Sequence, residues 1–380
     1  MRYGIEQIKL MFLLAGLLVA GLIVLNGCKN PQLPFVSKAD SCKGKPAQPP
    51  HWAIGPFTKD ENMVFLKQKA WDDPTNTGWQ STALYNPSEI VEADRLYLIY
   101  RAMPRIKRGG ALDSMLALAW TDDGLNWHDY ENNPIIYPTE NWEQRGCEDP
   151  KLYKYNDMYY LFYNSVWDKT NEIRALEATP DYTTVPALSE DVCVDICLAT
   201  SRDLRHWKKH GIIVPQSISK GWAKGAVIPR SPDGQAVKIN GKFMMFVSEG
   251  CGGDQYIGYS DDLINWEFKS ETYLKTDEHI TKIHEVASAK TDLEPGCDDL
   301  ILDFLYVKPD GSNGCGQALY SKKNPRKRLA FSPKGLCDWG GVIRYRDKWL
   351  FAKGWMPTKP DEPTKEVVYF YTAPLRSSRK

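Results

Sequence analysis

The 380-residue chain has no excess of charge of either sign, since 48 lysines and arginines meet 48 aspartates and glutamates. Without net charge or a basic stripe it lacks the long-range attraction for a phosphate backbone, so no nucleic-acid partner is expected. It has no glycine-rich phosphate loop, no His-Glu-x-x-His pair and no aspartate-rich calcium loop of full spacing, so no cofactor or resident metal is called for. Cys193 and Cys197 stand four apart with no second Cys or His pair at a zinc-site spacing, which argues against a metal centre there. Helical periodicity is almost missing from the body of the chain, which points away from α and α/β architectures.

Long apolar runs are also scarce. The one that occurs, Leu10 to Leu25, is shorter than the roughly 20 residues a membrane span needs. Arg2 and Lys9 precede it and Leu25-Asn26-Gly27-Cys28 ends it, so residues 1–27 read as a signal peptide. The ending resembles a bacterial lipobox, which implies that Cys28 is lipidated and becomes the first residue of the mature protein. Residues 28–50, rich in Lys, Pro, Ser and Gly, have the composition of a tether. The expected protein is an exported bacterial lipoprotein, anchored in a membrane through Cys28 and facing the periplasm or the cell surface. Export permits disulfides, but the eight other cysteines allow too many connectivities for any pairing to be assigned.

What is abundant is aromatic: 13 tryptophans and 20 tyrosines. Many belong to a strand-like segment that recurs from Asp94, Asp157, Gly241, Asp299 and Asp347, each a polar turn running into aromatic or β-branched residues. A second unit recurs at Leu118–Trp127, Leu198–Trp207 and Ile257–Trp266, where a strand gives way to an Asp-containing turn and then a Trp. That is the outline of a hairpin. Five units of about 50 to 80 residues, almost without helix, predict an all-β, five-bladed β-propeller over residues 51–380. A single four-stranded blade cannot cover both faces of its sheet, so the blades must stack in a ring. Paired β-sandwiches and a parallel β-helix are the alternatives, and irregular spacing of the units disfavours the β-helix.

In a propeller the innermost strands surround a central funnel. The segments preceding each aromatic strand are Tyr85-Asn86-Pro87, Gly146-Cys147-Glu148-Asp149-Pro150-Lys151, Lys224-Gly225-Ala226, Lys282-Ile283-His284-Glu285 and Asp338-Trp339-Gly340-Gly341. Taken in chain order, Asn86-Pro87, Tyr100-Arg101-Ala102, Gly146-Cys147-Glu148-Asp149-Pro150-Lys151, Lys224-Gly225-Ala226-Val227, Asn240-Gly241-Lys242-Phe243 and Lys282-Ile283 resemble glycoside hydrolase family 130, the β-mannoside phosphorylases and hydrolases. The similarity runs through most of residues 80 to 355, and Gly-Cys-Glu-Asp-Pro is its most discriminating element. The five-bladed families 43 and 32 are the nearest competitors.

The resemblance implies an oligosaccharide substrate and puts the general acid at Asp149, acting through a sugar hydroxyl. Asn86, Arg101, Lys151, Lys224, Lys282 and Asp303 fall at its substrate-binding positions. Pro150 is expected to hold Asp149 extended. In the family's phosphorylases a cationic cluster receives inorganic phosphate, and here several of its positions differ. Lys151 stands for an arginine, and a lysine offers a point charge in place of a fork. Ser248-Glu249 stands for His-Arg, and Asp303-Phe304 for His-Gly. Carboxylates in place of cations oppose phosphate and supply what a hydrolase needs, a general base across the funnel from the acid. Glu249 is the first choice for that base and Glu285 the second. The expected function is inverting hydrolysis of short β-manno-oligosaccharides; phosphorolysis to mannose 1-phosphate and a non-catalytic, glycan-binding surface lipoprotein are the alternatives. Trp167, Trp222, Trp339 and Trp355 are possible sugar platforms.

Overall fold

In the computed structural model the described residues are 57–66, 83–103, 114–168, 192–249, 254–274, 280–292, 299–332, 335–336, 338–354 and 367–375. Residues 1–56, with Cys28, the signal segment and the tether, lie outside them, as does Trp355. Among the described residues no helix is long and apolar enough to cross a membrane.

Five four-stranded antiparallel sheets follow one another along the chain. Blade I consists of Ala83–Glu92, Arg95–Met103, Met115–Thr121 and Trp127–Asp129; blade II of Gly146–Tyr155, Met158–Asp168, Val192–Ser201 and Lys208–Ile212. Blade III consists of Ala223–Val227, Phe243–Glu249, Gln255–Ser260 and Glu267–Ser270; blade IV of Lys282–Thr291, Asp299–Val307, Asn313–Ser321 and Asn324–Ser332. Blade V takes Ile343–Tyr345, Lys348–Gly354 and Val367–Pro374 from the end of the chain and Thr58–Leu66 from its start. That borrowed outer strand closes the ring, with Phe65 opposite Val368 and Thr58 opposite Thr372. The protein is a five-bladed β-propeller.

The recurring aromatic segments are the second strands of the blades, and their near-continuous hydrophobicity has a packing cause. A strand's side chains alternate between faces, and here both faces are buried. In Arg95–Met103 of blade I, Leu96, Leu98 and Tyr100 pack against Leu350 and Phe370 of blade V, while Ile99 packs against Leu161 and Tyr163 of blade II. Phe162 turns the other way, onto Phe243 and Met245 of blade III. Phe246 meets Leu302 and Phe304 of blade IV, and Ile301 meets Trp349 and Phe351 of blade V. The core is therefore five interblade layers, and each large residue fully removed from water contributes about 1.5–3 kcal/mol.

The Asp-containing turns join third strands to fourth. Asp123 Oδ1 accepts the backbone N–H groups of Leu125 and Asn126 at 2.8 and 2.7 Å, and Asp203 and Asp262 repeat the arrangement with Arg205 and His206, and Ile264 and Asn265. The next residue, Gly124, Leu204 or Leu263, takes positive φ to turn the chain. Cys147 and Cys197 are buried free thiols, Cys193 is buried as well, and Cys315 is disulfide-bonded.

Candidate active site

Four of the five inner strands carry a break in register near the same level: between Tyr85 and Ser88, Glu148 and Lys151, Gly225 and Val227, and Ile283 and Glu285. A bulge leaves residues unpaired, bends the strand and re-aims a side chain. Asn86, Asp149 and Ala226 sit at these breaks with φ of 45°, 52° and 54°. Asp149 is thus not extended, as Pro150 led us to expect. The bulge, not the proline, sets its backbone, at a strain cost typical of functional sites.

The bulges bring four charged groups together. Lys224 Nζ donates to Glu148 Oε1 at 2.6 Å and to Asp149 Oδ2 at 2.7 Å. Arg101 Nη1 donates to Asp149 Oδ1 at 3.0 Å, and Asn86 Nδ2 donates to the same oxygen. Arg101 Nη2 lies 2.5 Å from Glu148 Oε2, a charge contact without the alignment of a hydrogen bond. The Arg101 guanidinium lies over the Tyr85 ring, 4.3 Å from its centroid, which fixes the fork's plane. Two carboxylates and two cations are thus interleaved, with Glu148 and Arg101 almost wholly buried and Asp149 and Lys224 partly open.

Burial alone would push the Asp149 carboxyl up, but Lys224 and Arg101 outweigh it and hold the group well below the usual carboxylate range. The reverse holds for Lys224, where Asp149 and Glu148 overcome burial and raise the ammonium. Glu285 differs. Burial raises it, Lys224 and Lys151 pull it down, and the Asp149 charge adds to the rise. Trp339 Nε1 donates to Glu285 Oε1 at 3.1 Å.

Lys151 points elsewhere, donating to the carbonyls of Ala287, at 2.8 Å, and Trp339. Burial brings its ammonium down to about 8 despite the pull of Glu285 and Asp149. Asp303 is drawn into another cluster: it is fully buried, pairs with Lys290, and accepts the Leu336 N–H at 2.8 Å. Lys282 lies exposed at the first residue of its strand. Glu249 ends the second strand of blade III, opposite Ala223, and its side chain lies outside the described residues. Of the expected site residues, Asn86, Arg101, Asp149 and Lys224 are therefore in direct contact. Glu285 joins them electrostatically, and Lys151 braces the wall behind. Glu148 and Tyr85 were missed as members; the signal was their place beside Asp149 and Asn86 in the inner-strand segments. Among the described residues no group of three His, Cys, Asp or Glu is placed to hold a metal ion.

A five-bladed propeller whose inner-strand bulges gather carboxylates and cations defines the class. The family follows from comparison: residues 59–288 match the model of family 130, described as β-1,4-mannooligosaccharide phosphorylase, and the chain belongs to glycoside hydrolase family 130. It is 29% identical over 191 residues, 50% of this chain and 53% of the relative, to a 1,2-β-oligomannan phosphorylase of Thermoanaerobacter sp. (strain X514). A β-1,2-mannobiose phosphorylase of the same organism is 24% identical over 178 residues, 44% of this chain and 48% of the relative. The chain spans about half the length of the curated relatives it matches. Among solved structures, a glycosyl hydrolase from Bacteroides ovatus superposes with a TM-score of 0.62 at 18% identity, covering 86% of this chain and 97% of that one. A member of the family's glycoside hydrolases that target β-1,2 mannosidic linkages superposes at 0.60 and 20% identity, covering 85% and 95%. These two likenesses are of fold.

Proposed function

We propose that the protein cleaves short β-manno-oligosaccharides by inverting hydrolysis. The observation that carries this reading is the engagement of the cations. Arg101 and Lys224 are paired with Glu148 and Asp149, and Lys151 is turned onto two backbone carbonyls. A phosphate nucleophile would have to displace carboxylates from both Arg101 and Lys224, whereas water needs only a base.

Glu285 suits that base. Its raised pKa strengthens it as a proton acceptor, and it faces the same charged cluster as Asp149. In this reaction Glu285 takes a proton from water as the water oxygen bonds to the anomeric carbon. The bond to the leaving oxygen breaks, and that oxygen receives a proton originating at Asp149 through a sugar hydroxyl. Asp149 is a carboxylate at rest, so bound sugar must first loosen it from Lys224 or Arg101 and let it protonate. The same reading keeps the enzyme on an exported membrane surface through lipid on Cys28; its support is the Leu10–Leu25 run and the Cys28 that follows. Loss of metabolic lipid labelling in Cys28→Ala is the expected result.

The test is product analysis on β-1,2- and β-1,4-linked manno-oligosaccharides with and without phosphate, with the first-formed anomer followed by NMR. Free α-mannose regardless of phosphate is expected. The relatives named as phosphorylases favour a second reading, under which mannose 1-phosphate forms, and only with phosphate. Binding without turnover of any glycan would exclude both.

A further inference from the structure

We propose that Trp222 is a sugar-stacking platform at the rim of the funnel, receiving the apolar C–H face of a pyranose beyond the two rings that flank the cleaved bond. This rests on the mannoside-cleaving reading. Trp222 immediately precedes the inner strand of blade III and is 38% exposed. Its neighbour Ala223 is fully buried, and Lys224 follows with its ammonium on both Glu148 and Asp149. Residues two apart on an extended chain share a face at about 7 Å. Trp222 therefore stands on the side of the strand that carries Lys224 into the site, one step further out.

The indole is held there by its backbone. Trp222 N–H donates to Ser219 O at 2.8 Å, and Val194 N–H donates to Gly221 O at 2.8 Å. Ser219 is buried and donates through Oγ to Asp195 Oδ1 at 2.9 Å, while Trp167 Nε1 donates to Asp195 Oδ2 at 2.8 Å. Asp195 is wholly buried, so a carboxylate taken out of water clamps the turn to blade II. Lys220 and Gly221 make the turn at φ of 50° and 78°, and a Cβ on Gly221 would stand 3.0 Å from Cys193 Sγ. Lys220 Nζ also pairs with Asp254 of blade III at 3.0 Å.

A large ring presented on so fixed a turn pays little ordering entropy when it binds. An apolar ring beside convergent polar groups is the composition of a carbohydrate site. The other described tryptophans weighed as platforms are committed: Trp167 is buried on Asp195, and Trp339 donates to Glu285.

The test uses the full-length protein, Trp222→Ala and Trp222→Phe with β-mannobiose, -triose, -tetraose and -pentaose. In Trp222→Ala the rise in KM over the unaltered protein should itself grow with chain length. It should be about tenfold larger for the tetraose than for the biose, with kcat little changed and Trp222→Phe recovering most of the effect. A change in KM that is the same at every length overturns the platform and leaves the mannoside reading intact. If the unaltered protein turns over none of these sugars, the mannoside reading has failed. Titration of protein fluorescence with the pentaose then decides the platform: a response lost in Trp222→Ala upholds it, and an identical or absent response overturns it.

Discussion

Lys224 Nζ lies 2.7 Å from Asp149 Oδ2, and this ion pair joins the inner strands of neighbouring blades at the level of their bulges. It fixes where the Asp149 carboxylate points and keeps it charged. In Lys224→Met the depressed pKa of Asp149 should relax upward, because a cation that favours the charged form has been removed. If Asp149 is the acid, the basic limb of the kcat/KM profile moves to higher pH. The rate at neutral pH falls by roughly 10- to 100-fold from lost positioning. A pH–rate profile of both proteins checks this, and an unmoved basic limb would detach Asp149 from the acid role.

Leaving groups separate the two carboxyls. Asp149→Asn should lose several orders of magnitude on β-mannobiose, but only about tenfold on a dinitrophenyl β-mannoside, whose leaving oxygen needs no proton. Glu285→Gln should lose heavily on both, since activation of water is needed either way. Steady-state kinetics on the two substrates make the comparison; equal losses in Asp149→Asn would contradict the assignment.

Lys290 is buried between Asp303 and Asp338, 3.0 Å from Asp338 Oδ2, with Ser288 Oγ donating to Asp338 Oδ1 at 2.8 Å. Burial lifts the Asp303 carboxyl to about 6 against the pull of Lys290. Lys290→Met leaves two carboxyls buried without their cation and should cost about 3–5 kcal/mol of unfolding free energy. Adding Asp303→Asn and Asp338→Asn should restore much of it. Denaturant unfolding of the single and triple variants decides.

Glu89 is wholly buried, and one of its carboxyl oxygens lacks a hydrogen-bond partner. Burial pushes its pKa up to about 8, with Arg230 opposing. The folded state thus holds a proton that the unfolded chain, near its ordinary value of 4.5, has released. The sign follows: this contribution to stability is complete below pH 4.5 and is lost as pH rises through about 8. Thermal melts between pH 5 and 8 should show Glu89→Gln losing less stability over that interval than the unaltered protein.

The blades were legible because their second strands are buried on both faces, which writes itself into the sequence as five apolar segments. The hairpin turns were legible because Asp123, Asp203 and Asp262 act on backbone N–H groups two and three residues away. The bulge at Asp149 was not legible. A slip in register belongs to two strands at once, and the proline beside it pointed to a different backbone. Asp303 reads as a substrate-binding residue because Asp303-Phe304 stands where the family has His-Gly, yet its partner Lys290 lies across the same sheet.

The sequence by itself determined the five-unit repeat, the family, and the candidates Asn86, Asp149, Glu285, Arg101, Lys151 and Lys224, because periodicity and motif order are local properties of the chain. Only the tertiary structure decided which cation meets which carboxylate. Lys224 reaches Glu148 across 76 positions, and Lys151 reaches Trp339 across 188. Between buried charges the energy changes steeply over ångströms, and those distances exist only once the blades have packed against one another.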